Sequence, residues 1–251
     1  GEIHDINDLI TYNLDIRQFA QDVIENCEGP ELLRAFWHAI ENITVLDPTC
    51  GSGAFLFAAL NILEQLYEAC LDRMQAFIQD LEFSNQKHRP EKFSDFRKIL
   101  GRVTLHPNRR YFIFKSIIIN NLYGVDIMEE AVEICKLRLF LKLVAQVERE
   151  DQIEPLPDID FNIRAGNTLV GYATYDEVKK AVTSSFDFDN ALARIEGKAQ
   201  DIDRLFTLFR QQQTEFDGEI KESDKKVLYD RLDALENELN GYMAKEYGVD
   251  I

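Results

Sequence analysis

The chain has 251 residues, an apolar fraction of 45% and a formal net charge of −17 at pH 7. It is long enough for one α/β domain with a sizeable core, with or without an appendage, and too apolar to be disordered throughout. The acidity disfavours tight binding of nucleic acid by the chain as a whole, because DNA affinity rests largely on lysine and arginine neutralising phosphates.

The sequence shows no segment typical of membrane insertion or secretion. No uninterrupted apolar run approaches the roughly 20 residues that a membrane span needs, and the first thirty residues lack a signal-peptide pattern. The cysteines are scattered, without a C-x-x-C pair or a histidine cluster, which predicts buried, reduced thiols and no metal site. They are Cys27, Cys50, Cys70 and Cys135. We therefore expect a cytoplasmic protein with no membrane partner and no metal.

Two helices are predicted before the first strand. Apolar residues recur at helical spacing between residues 13 and 40, with a break at Gly29 and Pro30. The β-branched run at 43–46 predicts a short strand buried on both faces. A long helix is predicted to follow, over residues 54–79.

The middle of the chain repeats this alternation. Residues 84–110 form a polar insertion with basic patches, which could contact phosphate or simply balance an acidic surface. Residues 111–120 are apolar enough for a buried helix or a strand, and periodicity does not decide between them. A strand at 122–126, a helix at 129–145 and a third strand within 161–170 follow. This order predicts an α/β fold, with a parallel sheet and helices on both of its faces.

The character of the chain changes from about residue 187. Apolar residues recur there at 4-3-4-3 spacing, which is a heptad seam, and leucines and phenylalanines upstream suggest a partner helix. The seam residues are Leu228, Leu232, Leu235, Leu239 and Tyr242. We predict N-terminal helices at 1–40, an α/β core at 41–186 and a helical hairpin at 187–251.

The strongest local signal is V-L-D-P-T-C-G-S-G-A-F-L, at residues 45–56. A strand that ends in Asp47 and turns through Gly51 and Gly53 into a helix builds a nucleotide-shaped site. The glycines let the backbone approach a ligand closely, and the helix start presents unpaired N–H groups. A site for NAD or FAD is disfavoured, because Leu56 replaces the third glycine of G-x-G-x-x-G and no acidic strand end follows about 20 residues on.

Three segments in order carry a resemblance to a known family. D-P-T-C-G-S-G-A-F-L resembles motif I of the amino-methylating DNA methyltransferases, D-P-x-C-G-S-G-x-F-L. N-L-Y-G-V-D-I-M-E-E-A-V-E-I, at 121–134, resembles their second acidic strand end, and N-I-R-A-G-N-T-L-V-G, at 162–171, resembles their third motif. Together they resemble the adenine-N6-specific DNA methyltransferase domain of the type IIG restriction–methylation and BREX-type (phage-growth-limitation) family. The resemblance implies a Rossmann-like class I S-adenosylmethionine-dependent methyltransferase core.

The resemblance implies S-adenosylmethionine as the cofactor and assigns residues to its methionine end. Asp47 and the backbone at Thr49, Gly51 and Gly53 would hold this part of the molecule.

The resemblance also assigns residues to the nucleoside end of the cofactor. Asp126 would accept hydrogen bonds from both ribose hydroxyls, although a strand-end cap or a loop ion pair is the alternative. Ile127 would pack against the adenine face. Asn167 would hydrogen-bond the adenine edge, where many related enzymes have aspartate, and an ordinary turn asparagine is the competing interpretation.

The motif that carries out methyl transfer in this family is missing from the sequence. That motif, N-P-P-Y or a near variant, holds the target amino group and stacks on the flipped base. The chain has six prolines and no two are adjacent, and the N-terminus lacks the family's tyrosine-threonine-proline segment. We therefore expect a cofactor-binding fragment, cut before the catalytic motif, that is inactive alone and binds DNA weakly or not at all. DNA would be bound through the full-length protein.

Two other functions stay open from the residues alone. One is a class I methyltransferase that acts on a protein or a small molecule. The other is an interaction module that uses the hairpin at 200–247 for dimerisation. The sequence does not predict the oligomeric state.

Overall fold

The structure is a computed structural model that describes residues 5, 7–8, 14–83, 92–172, 174–182, 188–215 and 222–246. Predictions for the remaining residues, including part of the polar insertion at 84–91, lie outside the described residues. The chain divides into two compact units, Gly1–Ala165 and Gly166–Ile251.

The first unit alternates helices with short strands. Its helices are α1 (Ile16–Glu25), α2 (Pro30–Asn42), α3 (Ala54–Phe83), α4 (Ser94–Leu105), α5 (Arg109–Asn120) and α6 (Glu129–Val144). Its strands are β1 (Val45–Asp47), β2 (Leu122–Asp126) and β3 (Ile163–Ala165). All three predicted strands are present, and the ambiguous segment 111–120 is helical.

Local chemistry explains where several of these helices begin. The Asp15 carboxylate accepts hydrogen bonds from the first backbone N–H groups of α1. Asn108 does the same for α5, accepting from the Tyr111 N–H at 2.8 Å. Pro30 occupies the first position of α2, where its missing N–H costs no hydrogen bond.

The strands form a parallel sheet in the order β1-β2-β3, with Leu46 opposite Tyr123 and Val125 opposite Arg164. Both crossovers advance in the same direction, so right-handed connections place α3 and α6 on one face of the sheet. Helices on both faces of the sheet stay a prediction. On the other face, Leu46 is 62% exposed.

Helix α3 is the central core element of the first unit. It is long and apolar enough, by length and composition, to cross a membrane. Its buried side chains recur along its length and join one hydrophobic core with α2, α5 and α6. The buried residues of α3 are Leu56, Leu60, Leu63, Tyr67, Ala69, Cys70, Leu71 and Met74. These contacts identify α3 as the core helix of an α/β domain.

A buried polar cluster fixes the entry to β1. Asn121 is fully buried, and its Nδ2 donates to the carbonyl oxygens of Ile40 and Ile43, each at 2.7 Å. Its Oδ1 accepts a hydrogen bond from the Tyr67 hydroxyl at 3.1 Å. Burial raises the pKa of Tyr67, so the phenol stays a donor. The cluster holds the turn between α2 and β1 against α3.

Arginines of the predicted basic insertion are paired with carboxylates on neighbouring helices. Three such ion pairs are Arg102–Glu41 at 3.4 Å, Arg109–Asp72 at 2.7 Å and Arg110–Glu64 at 2.6 Å. This pairing favours the interpretation that these cations balance an acidic surface.

The second unit consists of α7 (Tyr175–Val182), α8 (Phe188–Glu215) and α9 (Glu222–Glu246). Its small core contains Val182, Ala191 and Ile195, and three seam residues of α9 pack against it: Leu235, Leu239 and Tyr242. Lys198 on α8 pairs with Glu238 on α9 at 2.5 Å. These heptad residues therefore pack within the chain, between the helices of the predicted hairpin.

Candidate cofactor-binding site

The loop between β1 and α3 has a positive φ, the region that favours glycine, at two positions. Gly51 has φ +51° and Gly53 has φ +87°, and the Gly53 N–H donates to the Cys50 carbonyl at 2.7 Å. A Cβ at Gly53 would lie 2.7 Å from the Cys135 Sγ. The sequence G-S-G thus follows from backbone conformation and from the close approach of α6.

The carboxylate of Asp126, at the end of β2, is tied to this loop. Its Oδ2 accepts from the Gly51 N–H at 2.8 Å, and its Oδ1 accepts from the Met128 N–H at 2.9 Å. The hydrogen bonds from Met128 and Gly51 lower the pKa of Asp126. A carboxylate oxygen accepts more than one hydrogen bond, so both oxygens keep capacity for a ligand.

Asp47, at the end of β1, has one oxygen without a partner. Its Oδ1 accepts from the Thr49 N–H at 3.1 Å. Its Oδ2 is buried and has no hydrogen-bond partner among the described residues. The residue is only 9% exposed, and buried acceptors are nearly always satisfied. The arrangement calls for a donor, and a ligand cation fits.

Two buried thiols fill the space behind the loop. The side chains of Cys50 and Cys135 are both buried and interact with each other. Burial raises the pKa of both thiols, that of Cys135 to about 12, so both stay protonated and uncharged at neutral pH. A Cβ at Gly124 would lie 3.0 Å from the Cys50 Sγ, so β2 needs a glycine beside the loop.

The structure brings together six of the seven predicted site residues. Those of the first unit are Asp47, Thr49, Gly51, Gly53, Asp126 and Ile127, all at the carboxyl ends of β1 and β2 or just after them. The Ile127 side chain is 72% exposed, so its apolar surface is accessible to a flat apolar group. Asn167 belongs to the second unit, where its Oδ1 accepts from the Leu169 N–H at 3.0 Å.

Two residues on α6 contact the loop and were not predicted from the sequence. Arg138 donates from Nη1 to the Ser52 carbonyl and, at 2.8 Å, to the Ser52 hydroxyl. Cys135 packs beneath Gly53. No motif marks either residue, because their contact with the loop arises only when α6 folds back over β2.

The groups at these strand ends define the chemistry of a ligand. A buried carboxylate suits a cation, the partly exposed Asp126 suits a diol, and the N-terminus of α3 suits an anion. Among the residues that the structure describes, no group of three or more metal-ligating side chains occurs. The parallel strands, the G-x-G turn and the second acidic strand end are typical of α/β domains that bind nucleoside-bearing ligands.

Comparison with known families identifies the domain more closely. The family described as MmeI, DNA-methyltransferase domain, matches residues 21–170, and the family described as Eco57I restriction-modification methylase matches residues 120–245. The chain belongs to this DNA-methyltransferase family of type II restriction–modification enzymes. The resemblance read from the three motifs is thereby confirmed.

Curated relatives agree with this family. A putative type II restriction enzyme and methyltransferase of Methanocaldococcus jannaschii is 34% identical over 188 residues, 74% of this chain. The type II restriction enzyme and methyltransferase Eco57I of Escherichia coli is 26% identical over 161 residues, 63% of this chain. The matched part is 13% of the length of each relative. No solved structure matches the chain significantly.

Proposed function

We propose that this chain is the S-adenosylmethionine-binding part of a site-specific DNA adenine-N6 methyltransferase of a restriction–modification or phage-defence system. The observation that carries the proposal is the buried Oδ2 of Asp47, which has no hydrogen-bond partner among the described residues. It stands at the start of a glycine loop that Asp126 holds through the Gly51 N–H. Class I methyltransferases need both ends of the cofactor held above adjacent parallel strands, and this loop presents groups for both.

The methionine end of the cofactor fits the first strand end. Asp47 would accept from the α-ammonium group, which gives its buried oxygen the missing donor. The first turn of α3 and the amides around Gly51 and Gly53 would bind the α-carboxylate. Gly51 and Gly53 give this segment the positive φ angles that present those amides.

The nucleoside end fits the second strand end. Asp126 would bind both ribose hydroxyls while it keeps its hydrogen bonds to Gly51 and Met128. Ile127 would cover one adenine face. The assignment of Asn167 to the adenine edge rests on the family resemblance alone, because Asn167 belongs to the second unit. S-adenosylmethionine, when bound, supplies an electrophilic methyl group on a sulfonium.

The substrate part of the proposal rests on the relatives, whose names combine a type II restriction enzyme with a methyltransferase. We extend DNA methylation, and a linked endonuclease, to the complete protein. The chain alone has no adjacent prolines and a net charge of −17. It therefore lacks the N-P-P-Y motif and a general electrostatic attraction for DNA, and we expect it neither to methylate DNA nor to bind it tightly.

Calorimetric titration of the chain with S-adenosylmethionine tests the proposal. The wild-type chain should bind, and Asp126→Ala should reduce the affinity at least tenfold, about 1.4 kcal/mol or more of binding free energy. Asp151→Ala is the matched control, because Asp151 is an exposed aspartate that pairs with Arg149 away from the loop. Failure of the wild-type chain to bind, or equal loss in the control, would contradict the proposal.

A further inference from the structure

We infer that Arg138 is a positioning residue for the cofactor loop, acting through Ser52. The inference rests on the proposed function, because its consequence is cofactor affinity. Arg138 lies on α6 and reaches back to the loop between β1 and α3, 86 residues earlier in the chain. It donates to both the carbonyl and the hydroxyl of Ser52.

The contact fixes the orientation of one peptide plane. The Ser52 carbonyl faces Arg138, and the N–H of the same peptide group, on Gly53, donates to the Cys50 carbonyl at 2.7 Å. Both ends of the Ser52–Gly53 peptide are therefore engaged. Because glycine has the broadest conformational freedom of any residue, a peptide flanked by Gly51 and Gly53 would rotate readily without such restraints.

A second restraint acts two peptides earlier, on the Cys50–Gly51 peptide. The Gly51 N–H is held by the Asp126 carboxylate at 2.8 Å. The loop is thus clamped from two sides, by a carboxylate on an N–H group and by a guanidinium on a carbonyl. The peptide N–H of Ser52 lies between the two clamps, and none of the hydrogen bonds described here uses it. Clamping lowers the entropy that the loop loses when a ligand binds.

The guanidinium is itself held in place. Its Cζ lies 4.7 Å from the centroid of the Phe57 ring, on the first turns of α3. Arg138 follows Cys135 by three residues and so lies on the same side of α6, where Cys135 supports Gly53. One turn of α6 therefore supports the loop twice, once by packing and once by charge-assisted hydrogen bonds.

Three variants separate positioning from other roles. Arg138→Met keeps an apolar stem against Phe57 but removes all the donors. Arg138→Lys keeps the charge but loses the planar guanidinium. Arg149→Met is the matched control, because Arg149 is an exposed arginine whose partner is Asp151, two residues away. Affinity for S-adenosylmethionine, thermal midpoint and amide hydrogen exchange at Gly51 and Gly53 in the cofactor-free protein are measured for each.

Arg138→Met should bind the cofactor about tenfold more weakly than wild type. Its Gly53 amide hydrogen should exchange faster, and its thermal midpoint should stay within a few degrees of wild type. Arg138→Lys should fall between Arg138→Met and wild type in both properties, and Arg149→Met should match wild type. Unchanged affinity in Arg138→Met overturns the inference, whatever the exchange rates. Failure of the wild-type chain to bind overturns the proposed function and, with it, this inference.

Discussion

The Asp126 carboxylate and the Gly51 N–H lie 2.8 Å apart, although 75 residues separate them in the chain. The acidic end of β2 thereby organises the loop that follows β1. Asp126 serves two purposes under our proposal, shaping the loop and binding the ribose. The two roles have different requirements. Any hydrogen-bond acceptor suffices to hold the Gly51 N–H, whereas a full carboxylate suits the ribose hydroxyls.

Cofactor affinity should depend little on pH in the mildly acidic range. The pKa of Asp126 lies below its ordinary value of 3.8, since the Met128 and Gly51 N–H groups stabilise the charged form. The contribution of Asp126 is therefore present at neutral pH and is lost only as pH falls through the lowered pKa. Titrations with S-adenosylmethionine at about pH 7 and about pH 5 should agree within a factor of about two. A binding midpoint near pH 6 would show that another group controls the site.

Gly53→Ala should unfold the loop region and abolish cofactor binding. The substitution places a Cβ 2.7 Å from the Cys135 Sγ and forces alanine to a φ of +87°, which together should lower the free energy of unfolding by about 2–4 kcal/mol. Urea denaturation and calorimetry measure the two effects.

Gly101→Ala is the control for this substitution. Gly101 lies inside α4, and a Cβ there would meet nothing within 4 Å. The variant should be more stable than wild type by up to about 1 kcal/mol, because alanine favours the helix. Equal behaviour of the two variants would show that the space and φ at Gly53 do not matter.

Glu154→Gln should destabilise the first unit through a buried charge cluster. Glu154 contacts the His106 Nδ1 at 2.8 Å and the Lys115 Nζ at 2.8 Å, and all three side chains are at most 12% exposed. Removing the shared carboxylate should lower the free energy of unfolding by about 3 kcal/mol at neutral pH. Glu148→Gln, at an exposed position, should change it by less than about 0.5 kcal/mol.

The same cluster gives the stability of the protein an acid dependence. Burial raises the pKa of Glu154, but hydrogen bonds from His106 and Lys115 outweigh burial and hold it below 4.5. Its stabilisation is complete above that value and lost as pH falls through the lowered pKa. Wild type should therefore lose more stability than Glu154→Gln between about pH 5 and about pH 3 in urea titrations. Parallel pH profiles would contradict this assignment.

Asn121→Ala should lower the free energy of unfolding by about 3 kcal/mol. The change removes the donor to the Ile40 and Ile43 carbonyls and the acceptor for the Tyr67 hydroxyl, in a fully buried position. Asn42→Ala is the control, since Asn42 is exposed and bonds only within α2. Chemical denaturation that finds the two variants equally stable would contradict the role of the cluster.

Periodicity predicted most of the fold but failed where burial is uniform. Every residue from Tyr111 to Ile119 is buried, so neither a 3.6-residue nor a two-residue alternation is visible, and the segment reads equally as helix or strand. The glycine loop was predictable for the opposite reason. Its positive φ angles and the approach of Cys135 favour glycine at positions 51 and 53, so the residue types themselves indicate the turn.

Contacts made by crossover helices could not be predicted. Arg138 contacts Ser52 only because a right-handed connection lays α6 against the loop, and nothing near Arg138 in the sequence records this. Asp126 was predicted as a ligand group from the family motif, but its hydrogen bond to Gly51 was not. Local patterns specify elements and turns, whereas the pairing of side chains from distant elements depends on register and packing.

The exposed face of the sheet has a consequence for handling the protein. Leu46 is open to solvent on β1, an edge strand that pairs only with β2 among the described strands, and such edges invite other chains to add to them. A net charge of −17 opposes this by mutual repulsion between molecules. Added salt screens this repulsion but does not change the unpaired edge of β1. Concentrated solutions should therefore stay clear in dilute buffer and scatter light as the ionic strength rises, the reverse of a protein whose aggregation is driven by opposite charges.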